Sequence, residues 1–238
     1  MDMSASTPVV TGAGRGLGRH LVDGLLDRGV AKVYALARDT STVRQDPRVV
    51  AVRFDLRDPD SIEAAARQAS DATLLINNAS TAVFSTPLEA DLGAVRTEME
   101  VNFEGLYRTI RAFVPVIEAA GGGHVVNVLS LLALAGTPSM TGYSASKAAA
   151  HSLTQALRPV LAGKGITVHG VYPGGIDTDM LAGIDAPKTP PDVVAEGVLA
   201  GLAADREDIF PDPNAQAMSQ VWWSDPKSFE RAFSGVAA

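Results

Sequence analysis

The amino-acid sequence predicts an α/β fold, with one domain built on a doubly wound parallel sheet of about seven strands. Short apolar runs alternate with helical patterns along the chain, as strands and crossover helices do in a parallel sheet. A glycine-rich turn joins the first run to the first helix. No linker, internal repeat or low-complexity segment divides the 238 residues, so we expect a single domain over residues 1–238.

The strands are predicted where apolar, often β-branched residues run together without helical periodicity. In chain order they are Pro8–Thr11, Val33–Ala37, Val49–Phe54, Thr73–Asn77, Val125–Leu129, Ile166–Val171 and a short Ile209–Phe210. Polar and glycine-rich segments follow several of these runs. Because ligands of such sheets bind beyond the carboxyl ends of the strands, these segments are the first place to look for a site.

The helices are predicted from apolar spacing and from their end signals. Leu17, Leu21 and Leu25 form one apolar face, and Gly29 follows as a stop. In chain order the helices are Leu17–Asp27, Asp60–Ala69, a long one within Leu92–Ala120, Tyr143–Ala162 and Pro191–Ala203.

A tail at about residues 211–238 is predicted to pack on the domain. Two Asp-Pro pairs, Asp212-Pro213 and Asp225-Pro226, are typical helix starts, with Asp as N-cap and Pro in the first turn. Trp222 and Trp223 lie between them, and we expect this pair to pack the tail on the core or on a partner subunit. The alternative is that the pair forms a wall of a pocket.

Composition excludes several classes of function. A net charge of −7 argues against nucleic acid and anionic membranes as partners, since both select basic surfaces. Cysteine is absent and the four histidines are not spaced as ligand pairs, so we expect no metal site. No signal peptide and no apolar run of roughly 18 residues is present, which leads us to expect a cytoplasmic protein.

The turn after the first strand, Thr11 to Gly18, carries glycine at every second position from Gly12. Glycine permits unusual backbone angles and lets the main chain approach a pyrophosphate closely. The helix that begins near Gly16 offers free N–H groups and a positive dipole end to an anion. The alternative is a tight strand–helix turn without a ligand.

Tyr143 and Lys147 are four residues apart on a predicted helix, so they share one face. A phenol titrates near pH ~10 and needs help to exchange protons at neutral pH. A nearby ammonium lowers that pKa, and Ser130, at the end of a strand, can hydrogen-bond a substrate oxygen where charge develops. The alternative is a Tyr and a Lys on an exposed helix face.

Six segments together resemble one known family. They are Thr11–Gly18, Asn77-Asn78-Ala79-Ser80, Val101-Asn102 with Gly105, Asn127–Ser130, Tyr143–Lys147 and Pro173–Thr178. Their order and spacing resemble those of the short-chain dehydrogenases/reductases, which have a Rossmann fold, and the resemblance covers roughly residues 7 to 210. Ser80 departs from the pattern, which usually has Gly there.

The resemblance implies an oxidoreductase in which Tyr143, Lys147 and Ser130 are catalytic and Asn102 holds a water in the proton relay. It implies that Lys147 also binds the nicotinamide ribose, that Thr178 contacts the carboxamide and that Asp55 contacts the adenine. Together with Arg38, the expected cofactor contacts are Gly12, Arg15, Gly16, Leu17, Gly18, Asp55, Leu56, Asn78, Ala79, Tyr143, Lys147, Pro173, Gly174, Ile176 and Thr178.

NADP(H) is the expected cofactor. NAD enzymes of this type place an acidic residue at the end of the second strand, and here that position is Ala37, followed by Arg38. The Arg38 guanidinium is expected to bind the 2′-phosphate of NADP(H), and Arg15 is expected to approach that phosphate from the other side. Asp39 is expected to point away or to orient Arg38. Two arginines would give a preference on the order of a hundredfold. The alternative is that Arg38 is a solvated residue at a strand end.

The implied reaction is NADPH-dependent reduction of a ketone or aldehyde to an alcohol by hydride transfer, with Tyr143 as proton donor. Reduction of an imine or an activated alkene is an alternative, and so is a non-catalytic dinucleotide-binding regulator. We expect a small, apolar carbonyl substrate and a homodimer or homotetramer formed through the helices at about 92–120 and 143–162. Apolar residues next to the motifs in sequence are the expected lining of the substrate pocket. They are Val83, Phe84, Leu131, Leu132, Met140, Met180 and Leu181.

Overall fold

Seven parallel strands form one sheet in the computed structural model, which describes residues 1–234 of the chain. The strands are β1 Pro8–Thr11, β2 Val33–Ala37, β3 Val49–Arg53, β4 Leu74–Asn77, β5 Gly123–Val128, β6 Ile166–Val171 and β7 Asp208–Ile209. Their order across the sheet is β3-β2-β1-β4-β5-β6-β7. The chain therefore changes its direction of winding between β1 and β4, which opens a crevice at the carboxyl ends of these strands.

Helices cover both faces of the sheet, as the predicted doubly wound fold requires. They are α1 Gly16–Asp27, α2 Pro59–Gln68, α3 Leu92–Met99, α4 Leu106–Ala119, α5 Thr141–Ala162, α6 Pro191–Ala203, α7 Pro213–Ser224 and α8 Pro226–Ser234. One core forms where α1 and α6 cover one face, and the other where α2, α4 and α5 cover the opposite face. The prediction of one sheet with about seven strands is confirmed.

The long helix predicted within 92–120 is interrupted. A π-helical segment, Glu100–Gly105, separates α3 from α4. At Gly105 the helix passes so close to the β3–α2 connection that an added Cβ would stand 2.8 Å from the Leu56 carbonyl oxygen. The side chain of Asn102, inside the same segment, is held by hydrogen bonds to other elements. Single π-turns of this type frequently mark functional sites.

The tail packs on the domain as two helices, α7 and α8, each starting at a predicted Asp-Pro pair. Phe229 is fully buried, and Trp222 packs against the core that includes it. Trp223 meets Trp222 edge-on at 4.4 Å between ring centroids, yet is 62 % exposed. The predicted packing role is thus confirmed for Trp222. The last part of the predicted tail, residues 235–238, lies outside the described residues.

Across residues 1–234, no helix combines the length and the apolar character that crossing a membrane requires.

Candidate functional site

The loop between β1 and α1 has a backbone that depends on glycine. Gly12 and Gly16 have left-handed φ angles of 69° and 52°, which cost other residue types about 1–2 kcal/mol. At Gly18 an added Cβ would stand 2.2 Å from the Gly12 carbonyl oxygen. The loop therefore turns tightly and leads into the first turn of α1, where Leu17 is buried. Its backbone N–H groups and the helix dipole suit a phosphate.

Asn78 and Ala79, at the end of β4, hold this loop in place. The hydroxyl of Thr11 accepts hydrogen bonds from both of their backbone N–H groups at 3.0 Å. The Asn78 side-chain amide donates to the Thr11 carbonyl at 2.9 Å. Both residues thus lie beside the glycine loop, and their hydrogen bonds hold that loop in position.

Arg38, at the end of β2, is exposed, and within residues 1–234 its side chain makes no hydrogen bond or ion pair. Asp39 accepts hydrogen bonds from the backbone N–H of Ser41 at 2.9 Å and from its hydroxyl at 2.7 Å. The carboxylate of Asp39 therefore caps the turn that follows and leaves the Arg38 guanidinium available. Ala37, before them, is buried beside Gly14, where an added Cβ would stand 3.7 Å from the Ala37 Cβ.

The structure directs the Arg15 side chain to a different place from the one expected. Its guanidinium pairs with Asp179 at 3.2 Å, beside Thr178, and both side chains are about three-quarters exposed, at 75 % and 77 %. The expected contact of Arg15 with the 2′-phosphate stays a prediction, and it would require Arg15 to leave Asp179. An exposed pair of this type contributes only about 0–1 kcal/mol.

Asp55 and Leu56 follow β3 at the same end of the sheet. One carboxylate oxygen of half-buried Asp55 accepts a hydrogen bond from the Arg57 backbone N–H at 3.0 Å. Leu56 is buried against Gly105. The two residues thus border the crevice from the side of β3.

Tyr143 and Lys147 are both buried on α5, and Ser130 lies at the end of β5 within hydrogen-bonding reach of the Tyr143 phenol. The Lys147 ammonium donates to the Val128 carbonyl at 2.8 Å and lies 5.6 Å from the centre of the Tyr143 ring. The predicted catalytic group is therefore brought together in space. The exposed-face alternative is wrong, since both side chains are buried.

The pKa of the phenol differs from expectation. Burial raises the pKa of Tyr143 to about 12, although the hydrogen bond from Ser130 acts in the opposite direction. Burial also lowers the pKa of Lys147 to about 8. The prediction that Lys147 lowers the tyrosine pKa below its ordinary value is wrong here, because the cost of removing the phenolate from water is the larger effect.

Asn102 is buried, and its side chain is occupied by protein groups. The amide donates to the Thr81 carbonyl at 2.8 Å and to the Ser146 hydroxyl at 2.9 Å. Its oxygen accepts from the Thr81 N–H at 2.9 Å. These bonds tie the loop after β4 to α5, the helix that carries Tyr143 and Lys147. The side chain therefore positions other groups, and the expected water-holding role stays a prediction.

The segment after β6, Pro173 to Thr178, closes the opposite side of the crevice. Gly174 donates its backbone N–H to the carboxylate of Asp212 at 2.9 Å, and that carboxylate also accepts from Ala215 at the start of α7. Asp212 is fully buried. Thr178 lies next to the glycine loop, where a Cβ on Gly16 would stand 3.3 Å from its methyl group. Between them, Ile176 bridges Thr189 as in a short parallel pair.

Two further groups were not predicted from the sequence. A buried chain of hydrogen bonds runs from Asn77 to Asn127 at 2.9 Å and from Asn127 to Thr154 at 3.0 Å, joining β4, β5 and α5. Glu98 is fully buried beside Gly142 and accepts a hydrogen bond from the Val83 N–H at 2.8 Å. Burial raises the pKa of Glu98. The sequence signal that could have identified both groups is the presence of polar residues within otherwise apolar segments.

The predicted pocket lining divides into three groups by exposure. Val83, Phe84 and Met180 are large apolar residues with 38 %, 41 % and 38 % of their surface exposed, as the lining of an open apolar site requires. Leu131 and Met140 are buried, with 1 % and 7 % exposed, and Leu132 and Leu181 are half-buried. Adjacency in sequence could not separate these groups.

Comparison with known proteins identifies the family and supports the fold. The family model described as short chain dehydrogenase matches residues 6–189. A short-chain dehydrogenase from Burkholderia cenocepacia, solved with NADP, is 38 % identical, covers 98 % of this chain and 99 % of its own, and superposes with a TM-score of 0.93. A second, from Burkholderia phymatum with NAD, is 22 % identical, covers 100 % of both chains and has a TM-score of 0.86, which supports the fold alone.

Two curated relatives extend the comparison. Cis-4-hydroxycyclohexanecarboxylate dehydrogenase of Sinomonas cyclohexanicum is 35 % identical over 75 % of this chain and 76 % of its own length. An uncharacterized oxidoreductase of Staphylococcus saprophyticus is 30 % identical over 85 % of this chain and 93 % of its own. Fold and site together define an oxidoreductase of the dinucleotide-binding type. The chain belongs to the short-chain dehydrogenase family.

Proposed function

We propose that this protein is an NADPH-dependent reductase that converts a ketone or aldehyde to an alcohol, with Tyr143 as the proton donor. The observation that carries the proposal is the buried group of Tyr143, Lys147 and Ser130, which lies at the carboxyl end of β5 in the same crevice as the glycine loop. A carbonyl oxygen placed there meets two hydroxyl groups in a desolvated site. Polar groups in such a site stabilise developing charge more than they do in water.

The residues present fit a dinucleotide. Gly12, Gly16 and Gly18 allow the tight loop at the start of α1, because an added Cβ would strain the backbone or collide with neighbouring protein atoms. The loop leads into the amino end of α1, whose free N–H groups suit a pyrophosphate. Arg38 offers a free guanidinium for a 2′-phosphate, and Lys147 and Thr178 would hold the nicotinamide end. When bound, NADPH supplies the hydride for the carbonyl carbon.

The protonation state of Tyr143 suits the role of proton donor. With its pKa raised to about 12 the phenol keeps its proton at neutral pH, so it acts as an acid toward a substrate oxygen. Ser130 hydrogen-bonds the phenol, and its hydroxyl can also turn to the substrate oxygen. Lys147, with its pKa lowered to about 8, still carries a charge at pH 7 and supports negative charge that develops nearby.

The substrate class follows from the site entrance. Ser85 pairs with Met140, three residues before Tyr143, so the exposed apolar residues Val83 and Phe84 lie close to the catalytic tyrosine. Met180 adds a third apolar surface from the other side. The exposed apolar residues support a small, apolar carbonyl compound. The Sinomonas relative is named for a six-membered ring alcohol that also carries a carboxylate, so cyclohexanones with and without a carboxylate are among the first to test.

Assembly with further copies of the chain is also proposed. Tyr107 on α4 and Val160 on α5 expose 41 % and 62 % of their surface, and such apolar residues favour a homodimer or homotetramer through these helices. Light scattering of the purified protein tests this directly, and a monomer at micromolar concentration contradicts it.

The proposed reaction is tested by NADPH oxidation with a panel of ketones, aldehydes, imines and activated alkenes. We expect turnover of apolar ketones or aldehydes above the rate without substrate. Turnover of imines or activated alkenes alone would contradict carbonyl reduction and identify the protein as an imine or alkene reductase. NADPH binding without turnover on the full panel would favour the non-catalytic regulator instead.

A further inference from the structure

Two of the four histidines lie side by side, His124 near the amino end of β5 and His169 within β6. His124 and His169 are 45 residues apart in sequence, and the distance from His124 Nδ1 to His169 Nε2 is 3.0 Å. The expectation of no metal site rested on the spacing of the histidines along the chain, and the fold brings two of them together. Spacing along the chain could not reveal the pair, because it forms between neighbouring parallel strands.

The hydrogen bonds of His169 fix which nitrogen carries its proton. Nδ1 lies 2.7 Å from the Arg206 carbonyl oxygen, which can only accept, so Nδ1 is the donor. The lone pair is then on Nε2 and faces His124. Metal-binding histidines are generally held this way, with the second ring nitrogen donating to a carbonyl or carboxylate.

A carboxylate completes the group. Asp205 follows α6, and one of its oxygens lies 4.0 Å from His169 Nε2, with 61 % of the side chain exposed. Among residues 1–234, Asp205 alone has a left-handed φ without being glycine, at 54°. The N–H of Asp205 bonds to the Leu202 carbonyl and that of Arg206 to the Gly201 carbonyl, a helix end where glycine is usual. Asp205 thus occupies a backbone position that favours glycine.

The three ligand atoms all lie within 4.8 Å of one another. Two nitrogens bound to Zn²⁺ at about 2.0–2.1 Å in tetrahedral geometry are about 3.3 Å apart, so the two imidazoles need to separate by only a few tenths of an ångström. Two positive charges oppose a cation here: the Met1 ammonium, which donates to the Ala203 carbonyl at 2.9 Å, and the Arg158 guanidinium, which is itself paired with Asp208. The Asp205 carboxylate offsets part of this charge.

We propose that His124 Nδ1, His169 Nε2 and the Asp205 carboxylate bind one divalent transition-metal cation of the Zn²⁺ type, with one position open to water. His124 moves its proton from Nδ1 to Nε2 as the cation binds, so no proton is released from the pair. The bound cation ties the α6–β7 connection to β5 and β6. The site is separate from the catalytic group, and its existence does not depend on the proposed reaction.

The test uses the full chain with any affinity tag removed, and Zn²⁺ alone as the probe. Thermal unfolding with and without Zn²⁺, and competition for Zn²⁺ with a chromophoric chelator, give the stabilisation and the stoichiometry. We expect one Zn²⁺ per chain and a rise in Tm. His124→Gln should weaken affinity by at least about tenfold. His20→Gln, which removes a histidine from α1 outside the site, should match the wild type.

Asp205→Gly separates metal binding from folding. Glycine takes the left-handed φ without strain, so the metal-free variant should unfold at the same temperature as the wild type or higher. Its Zn²⁺-dependent rise in Tm should be largely lost, and the visible spectrum of tightly bound Co²⁺ with it. The proposal is overturned if the wild type binds no stoichiometric Zn²⁺, or if His124→Gln and Asp205→Gly bind it as tightly as the wild type.

Discussion

Replacing Arg38 with leucine should remove most of the preference for NADPH over NADH. Sequence reasoning assigned two arginines to the 2′-phosphate, but the Arg15 guanidinium pairs with Asp179. One arginine remains, and a hydrogen bond to a charged group contributes about 1.5–3 kcal/mol. Arg38 is exposed to solvent and salt, so the lower figure applies. The expected preference falls from a hundredfold to about tenfold.

The assay is kcat/KM with each dinucleotide on the wild type and three variants. Arg38→Leu should lower the NADPH value about tenfold and leave the NADH value nearly unchanged. Adding Ala37→Asp should reverse the preference, since a carboxylate there repels the phosphate and accepts from the ribose hydroxyls. Arg15→Leu is the matched control and should keep most of the preference. Raising the ionic strength should reduce the wild-type preference.

Two results would refute this reasoning. If the wild type uses NADH and NADPH equally well, Arg38 is only a solvated residue at a strand end. If Arg15→Leu removes the preference as fully as Arg38→Leu, the ion pair with Asp179 does not govern the position of Arg15 when the cofactor is bound.

Two further predictions concern stability. Burial lowers the pKa of Lys147 from 10.5 to about 8, so the wild type should gain stability relative to Lys147→Met as pH rises from 8 to 10, by up to about 1.4 kcal/mol per pH unit. Chemical denaturation across this pH range measures it, and a constant or falling difference contradicts the buried charge. Asp212→Ala should lower the free energy of unfolding by about 2–4 kcal/mol, since a helix cap and the Gly174 N–H lose their acceptor. Asp225→Ala, at the exposed cap of α8, should cost only about 0.5–1 kcal/mol, and equal losses would contradict the role of Asp212.

Local signals in the sequence were sufficient to predict the sheet and most of the catalytic group. The glycine pattern alone predicts the conformation of the loop, because Gly12 and Gly16 take φ angles that other residues avoid. The spacing of Tyr143 and Lys147 places them on one face of α5 whatever the rest of the chain does. The Asp-Pro pairs predicted both helices of the tail for the same local reason.

What could not be predicted depends on contacts between distant segments. Whether Arg15 points to a phosphate or to Asp179 is decided by a residue 164 positions away. The raised pKa of Tyr143 comes from burial, which the spacing of Tyr and Lys does not reveal. The pairing of His124 with His169 depends on the register of β5 and β6. Each of these properties is set by tertiary packing, so no local pattern encodes it.

The most direct test of the central claim is Tyr143→Phe, measured for both turnover and dinucleotide binding. The variant keeps the buried ring and removes the hydroxyl alone. With the best carbonyl substrate from the panel, kcat should fall by about 10²–10⁴-fold, the usual contribution of a general acid. NADPH affinity, measured by fluorescence titration, should stay within about twofold, since the lost group acts on the substrate oxygen. A variant that retains near wild-type kcat while binding NADPH normally would contradict the assignment of Tyr143 as the proton donor.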